Sequence, residues 1–90
     1  MKRSHKQLEQ QLKVLASHRR LAILAYLRKH KTGIVSDIAE GVGIQIATTS
    51  QHLSKLKSVG IVEFTKRGKY SAYRLSLHQQ EPVKKIIGML

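Results

Sequence analysis

Residues 34–59 read IVSDIAEGVGIQIATTSQHLSKLKSV, and the fold turns on how this stretch is read. Ser36 can cap a short helix from Asp37 to Val42, with Asp37 and Glu40 placing negative charge near its positive end. Gly41 and Gly43 interrupt the pattern, and Gly43 can take the positive φ that a tight inter-helix turn needs. A second helix follows from about Gln45 to Ser58. Its inward face begins at Ile46 or Thr49 and continues through Leu53, Leu56 and Val59. Ala39, Gly43, Leu53 and Leu56 together have the spacing of a helix-turn-helix, in which one helix braces another that can enter a DNA major groove.

Upstream, Leu8, Leu12 and Leu15 recur at i, i+4, i+7 and predict an amphipathic helix over residues 6–15 with a narrow apolar stripe. Ser17 can cap the next helix, His18 to His30. Leu21, Ile23, Leu24, Ala25, Tyr26 and Leu27 make that helix apolar around much of its girth, so it is expected at the centre. Lys29, His30 and Lys31 suit its negative end, and Thr32-Gly33 should stop it, with Gly33 supplying the left-handed residue. Ile34 and Val35 form a short strand or an extended lead-in.

Downstream the period changes from 3.6 to 2. Ile61, Glu63 and Thr65 alternate with Val62, Phe64 and Lys66. After Arg67-Gly68-Lys69, a second alternating run covers Tyr70 to Leu75, so residues 61–76 predict a β-hairpin. Pro82 suits the first turn of a last helix, residues 82–90, whose Val83, Ile86, Ile87 and Leu90 fall at i, i+3, i+4, i+7. The expected architecture is α+β, mainly helical: a winged helix-turn-helix of order ααααββα, with residues 36–59 as the motif and 61–76 as the wing. All of residues 1–90 form one domain.

Seventeen Lys and Arg against five acids give a net charge of +12, the footprint of a polyanion binder. There is no cysteine, which excludes disulfides and thiolate metal sites. No apolar run reaches the roughly 18 residues needed to span a bilayer. The basic start lacks the apolar core of a signal peptide, so a cytoplasmic location is expected. No signature joins Ser, His and Asp into a nucleophilic triad, and no enzyme is expected.

Three blocks now stand out: LKVLASHRRLAILAYL, SDIAEGVGIQIATTSQHLSKLKSVGIV and GKYSAYRLS. In order and spacing they resemble the ArsR/SmtB family of small dimeric winged-helix transcriptional repressors, over about residues 12–76. The family's L-x-x-L-A-x-x-x-R-x-x-I-L is present as Leu12, Leu15, Ala16, Arg20, Ile23 and Leu24. Its S-x-H-L-x-x-L is Ser50, His52, Leu53 and Leu56, and its Y-x-L is Tyr73 and Leu75. Where many metal sensors of the family carry E-L-C-V-C-x-L, this chain has Ile34 and Ser36 at the thiolate positions, so no soft-metal site can form there. A second family site pairs Asp and His on the last helix, but only His78 and Glu81 are available, at its start. Five scattered histidines offer no i, i+4 pair. Neither a metal nor a cofactor is expected, and His52 is read as a packed or phosphate-bonding residue.

The DNA-contacting face is expected to comprise Gln45, Ile46, Ala47, Thr48, Ser50, Gln51, Ser54 and Lys55. Gln can pair with adenine, and Ala and Thr methyls can meet the thymine methyl. No Arg or Asn lies on that face, which favours readout through phosphates and DNA shape. Lys66, Arg67 and Lys69 at the hairpin tip, with Lys57 and Arg74, are the candidate backbone contacts. The stripes Leu8, Leu12, Leu15 and Val83, Ile86, Ile87, Leu90 are expected to pair across a two-fold homodimer. Function is thus expected to be sequence-specific repression from a dimer on an inverted repeat in double-stranded DNA. The alternative is a sequence-independent architectural protein of the same fold.

Overall fold

Helix α2 (His18–His30) is the hub of the molecule, in a computed structural model that describes residues 3–90. Ile23, Leu24 and Leu27 are buried along it, and α1 (His5–Leu15), α3 (Val35–Val42), α4 (Ile46–Ser58) and α5 (Val83–Gly88) all pack against it. The remaining elements are β1 (Gly33–Ile34), β2 (Val62–Arg67) and β3 (Tyr70–Leu75), which form an antiparallel sheet of order β1-β3-β2. One hydrophobic cluster joins Leu15, Ile23, Leu24, Leu27, Ile38, Leu53, Leu56, Ile61, Val62, Val83 and Ile87.

Local chemistry sets most of the boundaries. Ser17 Oγ accepts from the Arg20 N–H at 3.3 Å and caps α2 as expected. At α1 the Ser4 Oγ accepts from the Gln7 N–H while the Ser4 N–H donates to Gln7 Oε1, a reciprocal capping box. Two expected ends differ. The left-handed residue closing α2 is Lys31, φ 73°, not Gly33. Gly33 is small for another reason: a Cβ there would stand 3.0 Å from both Ile38 and the Tyr26 ring. Ser36 is not the cap of α3 either. Ile34 is held extended by pairing with Ala72 of β3, and the chain turns from strand into helix at Val35, with no side-chain cap.

The hairpin is as read, with the turn tightened to Gly68-Lys69 and Gly68 at φ 60°. Val62 and Phe64 share a face with Tyr73 and Leu75, their cross-strand partners. Ile61 does not alternate with them. It precedes the strand, donates its N–H to the Leu56 carbonyl at 3.0 Å and is fully buried.

The terminal helices require a larger correction. Leu15, Val83 and Ile87, expected to lie between subunits, belong to this chain's own core. A 90-residue domain has little interior, and its end helices are recruited to complete it. Leu12 at 40% exposure, Leu90 at 36% and Met89 at 77% remain uncovered, with Leu8 and Ile86 half-buried beside them.

Candidate nucleic-acid interface

Helix α4 is fixed from below and free above. Thr49, Leu53 and Leu56 are fully buried, which settles the inward face in favour of Thr49; its hydroxyl donates to the Gln45 carbonyl at 2.8 Å. Ile46 is instead 57% exposed. With that face down, Gln45, Ile46, Ala47, Ser50, Gln51, Ser54 and Lys55 are all exposed, and Thr48 is half-buried at their edge. An exposed isoleucine at the tip of a polar helix face is suited to a thymine methyl.

The turn before α4 depends on Gly43. It adopts φ 75°, and its N–H donates to the Ala39 carbonyl at 2.9 Å. A Cβ there would meet nothing, so glycine is required for conformation and not for space.

The cations divide into three situations. Lys66, Arg67 and Lys69 stand exposed at the hairpin tip. Lys57 is drawn to the wing, its Nζ 4.2 Å from the centroid of the Phe64 ring. Arg74, expected to be free for phosphate, donates from Nε to Glu63 Oε1 at 2.8 Å across the hairpin. That arginine is already engaged, because Glu63 and Arg74 are direct cross-strand partners.

Two arginines on α2 were not among the expected contacts. Arg19 lines the concavity beside the turn with Glu40, Gly43, Ile44, Gln45 and Thr48. Arg20 donates from Nε to the Val14 carbonyl at 2.5 Å, and its Nη1 lies 3.2 Å from His52 Nδ1. Helical spacing within α2 gives no sign of either contact, which is made only when α2 meets the turn and α4. Burial, then the charges of Arg20, Lys55 and Arg19, hold the His52 pKa below its ordinary value. Its Nε2 is buried without a partner, so His52 is packed and its second nitrogen does not face a phosphate. Among the described residues no three metal-ligating side chains come together, and no helix is long and apolar enough to cross a membrane.

A buried-base helix with an exposed polar face, a glycine turn before it and a cation-tipped hairpin after it define a winged helix-turn-helix domain. The chain belongs to the arsR family of bacterial regulatory proteins, whose pattern matches residues 17–63. It is 39% identical over 61 residues to the cadmium resistance transcriptional regulatory protein CadC of Listeria innocua, covering 68% of this chain and 51% of that protein. The chain thus spans about half the length of the curated relatives it matches. Among solved structures, it is similar to the homodimeric winged helix-turn-helix DNA-binding domain of a possible ArsR-family regulator from Mycobacterium bovis. That likeness has a TM-score of 0.80 at 33% identity and covers 93% of this chain and 74% of that one. The transcriptional repressor PagR of Bacillus anthracis superposes with a TM-score of 0.77 at 27% identity, covering 93% and 92%. The family is one of DNA-binding regulators and not of enzymes.

Proposed function

We propose that this protein is a homodimeric, sequence-specific regulator of transcription that represses by occupying double-stranded DNA. The observation that carries the reading is the exposed face of α4, running from Gln45 and Ile46 to Lys55 and held between its buried underside and the cationic hairpin tip. Residues 36–59 then supply the reading head. Gln45, Ile46, Ala47, Thr48, Ser50, Gln51 and Ser54 face bases, and Lys55, Lys66, Arg67 and Lys69 face phosphates. A net charge of +12 provides the attraction. The uncovered apolar residues Leu12, Met89 and Leu90, with Leu8 and Ile86, are the surface on which two copies meet. Such a regulator works where the DNA is, in the cytoplasm, without metal or membrane.

Selection of bound duplexes from a genomic pool tests this. The expected result is an inverted repeat with half-site centres about one helical turn apart, bound at least 10³-fold more tightly than random DNA. A ratio below roughly tenfold would replace regulation with architectural binding. The absence of Arg and Asn from the exposed face of α4 favours that second reading.

A further inference from the structure

Where α1 gives way to α2, one guanidinium reaches across to α4. Arg20 holds the Val14 carbonyl through Nε and approaches His52 Nδ1 through Nη1. A guanidinium can only donate, so Nδ1 must be the unprotonated ring nitrogen, and the proton of the neutral ring lies on Nε2. That second nitrogen is buried with no hydrogen-bond partner. Among the described residues, Arg20 is therefore the one polar tie the ring makes, and it links α4 to the α1–α2 corner.

We propose that the Arg20–His52 hydrogen bond is a positioning tie for α4 that protonation of His52 releases, so that acidification weakens DNA binding. The inference rests on the reading of α4 as the DNA-contacting helix.

The surroundings of the ring give the tie its sensitivity. Arg20 and Arg19 of α2 and Lys55 of α4 itself are the charges that act on it, and all are cations. From α1 comes the Val14 carbonyl, already taken by Arg20, with Lys13 beside it in sequence. The charged residues on α3 and β2, which also pack on α4, are Asp37, Glu40, Glu63, Lys66 and Arg67, and none of them shifts the ring. A protonated His52 would be a further cation among cations, and its Nδ1–H would be a donor facing the Arg20 donor. It can be accommodated only if α4 or Arg20 moves.

The direction of the effect separates this tie from ordinary electrostatics. Added positive charge on the protein surface strengthens attraction to phosphate. Weakening on acidification needs a specific cause. His52→Asn keeps a carbonyl oxygen near the Nδ1 position and cannot protonate.

The experiment measures affinity for a duplex recovered by the genomic selection, for wild type and H52N, from pH 7.5 to 5.0 at fixed ionic strength. Wild type should lose affinity below the ordinary histidine range, by at most about tenfold per pH unit per subunit. H52N should hold or gain. Parallel profiles would overturn the inference and leave the regulatory reading intact, whereas absence of wild-type binding at pH 7.5 would overturn both. Should H52N fail to fold, nitrogen NMR of the wild-type ring decides. An Nε2–H tautomer that titrates below the usual histidine value supports the tie, and an Nδ1–H tautomer overturns it.

Discussion

The ammonium of Lys57 sits 4.2 Å from the centroid of the Phe64 ring, so the last turn of α4 and the first strand of the wing are joined through one cation–π contact. Phe64 in turn lies against Tyr73, ring centroids 5.6 Å apart. The attitude of the wing relative to α4 is thereby fixed at its base, while Lys66, Arg67 and Lys69 at the tip stay exposed. At a partly exposed site such a pair contributes about 0.5–1 kcal/mol. Phe64→Leu should lower unfolding stability by about 1 kcal/mol in urea, since it keeps apolar bulk but removes the ring face. In a double-mutant cycle with Lys57→Met, the combined loss should fall short of the sum. Strictly additive losses would show that the contact carries no energy.

Gly41 opposes two effects whose magnitudes decide the outcome. On an exposed helical position, Gly→Ala usually stabilises by up to about 1 kcal/mol. Here a Cβ would come within 2.5 Å of Tyr26 Cε2, and the Tyr26 ring is stacked on His30, centroids 4.1 Å apart. Overpacking of this kind costs about 1–3 kcal/mol, so the clash should win. Thermal melts should show Gly41→Ala destabilised, and adding Tyr26→Leu should restore stability to wild type or above. A stabilised single variant would mean that Tyr26 swings away without penalty.

These two contacts also show where sequence reasoning stops. The helix-turn-helix, its Gly43 turn, the hairpin and the central α2 were legible because each is coded by short-range periodicity and a local breaker. Ser4 and Gln7 carried a capping signal at S-x-x-Q, so the earlier start of α1 could have been read. Gly33 could not. Its role against Tyr26 and Ile38 arises from three elements meeting, and in sequence it looks like any helix stop. The apolar stripe of α5 was legible as a stripe, but whether Val83 and Ile87 cover this core or a partner's depends on how much interior the other helices leave open. Arg74 reads as free in sequence because its pairing with Glu63 depends on the hairpin register, which alternation alone does not set.

His52 gives the fold its own pH dependence, measurable without DNA. Its pKa in the folded state is held below the ordinary 6.5 by burial and then by Arg20, Lys55 and Arg19. The unfolded chain therefore takes up this proton first as pH falls. The stabilising contribution is fully present above about 6.5 and is lost as pH drops from there through the folded-state value. Wild type should lose more melting temperature between pH 7.5 and 5.0 than His52→Asn does. Equal losses would assign the acid sensitivity to other groups.

The wing tip and the wing's flank should separate in the salt dependence of DNA binding. If each subunit neutralises roughly four phosphates, log K for the dimer should fall with log salt at a slope of about −7. Arg67 stands exposed at the tip, so Arg67→Ala removes two phosphate contacts per dimer and should bring the slope to about −5. Arg74 is no less positive, yet its Nε is committed to Glu63 at 2.8 Å. An exposed ion pair of this kind is worth at most about 1 kcal/mol to folding, so Arg74→Ala should fold normally and leave the slope within about half a unit of wild type. Anisotropy titrations of a labelled duplex at four or five salt concentrations measure both. A reduced slope for Arg74→Ala, with Arg67→Ala unchanged, would move the phosphate track from the tip of the hairpin to its side.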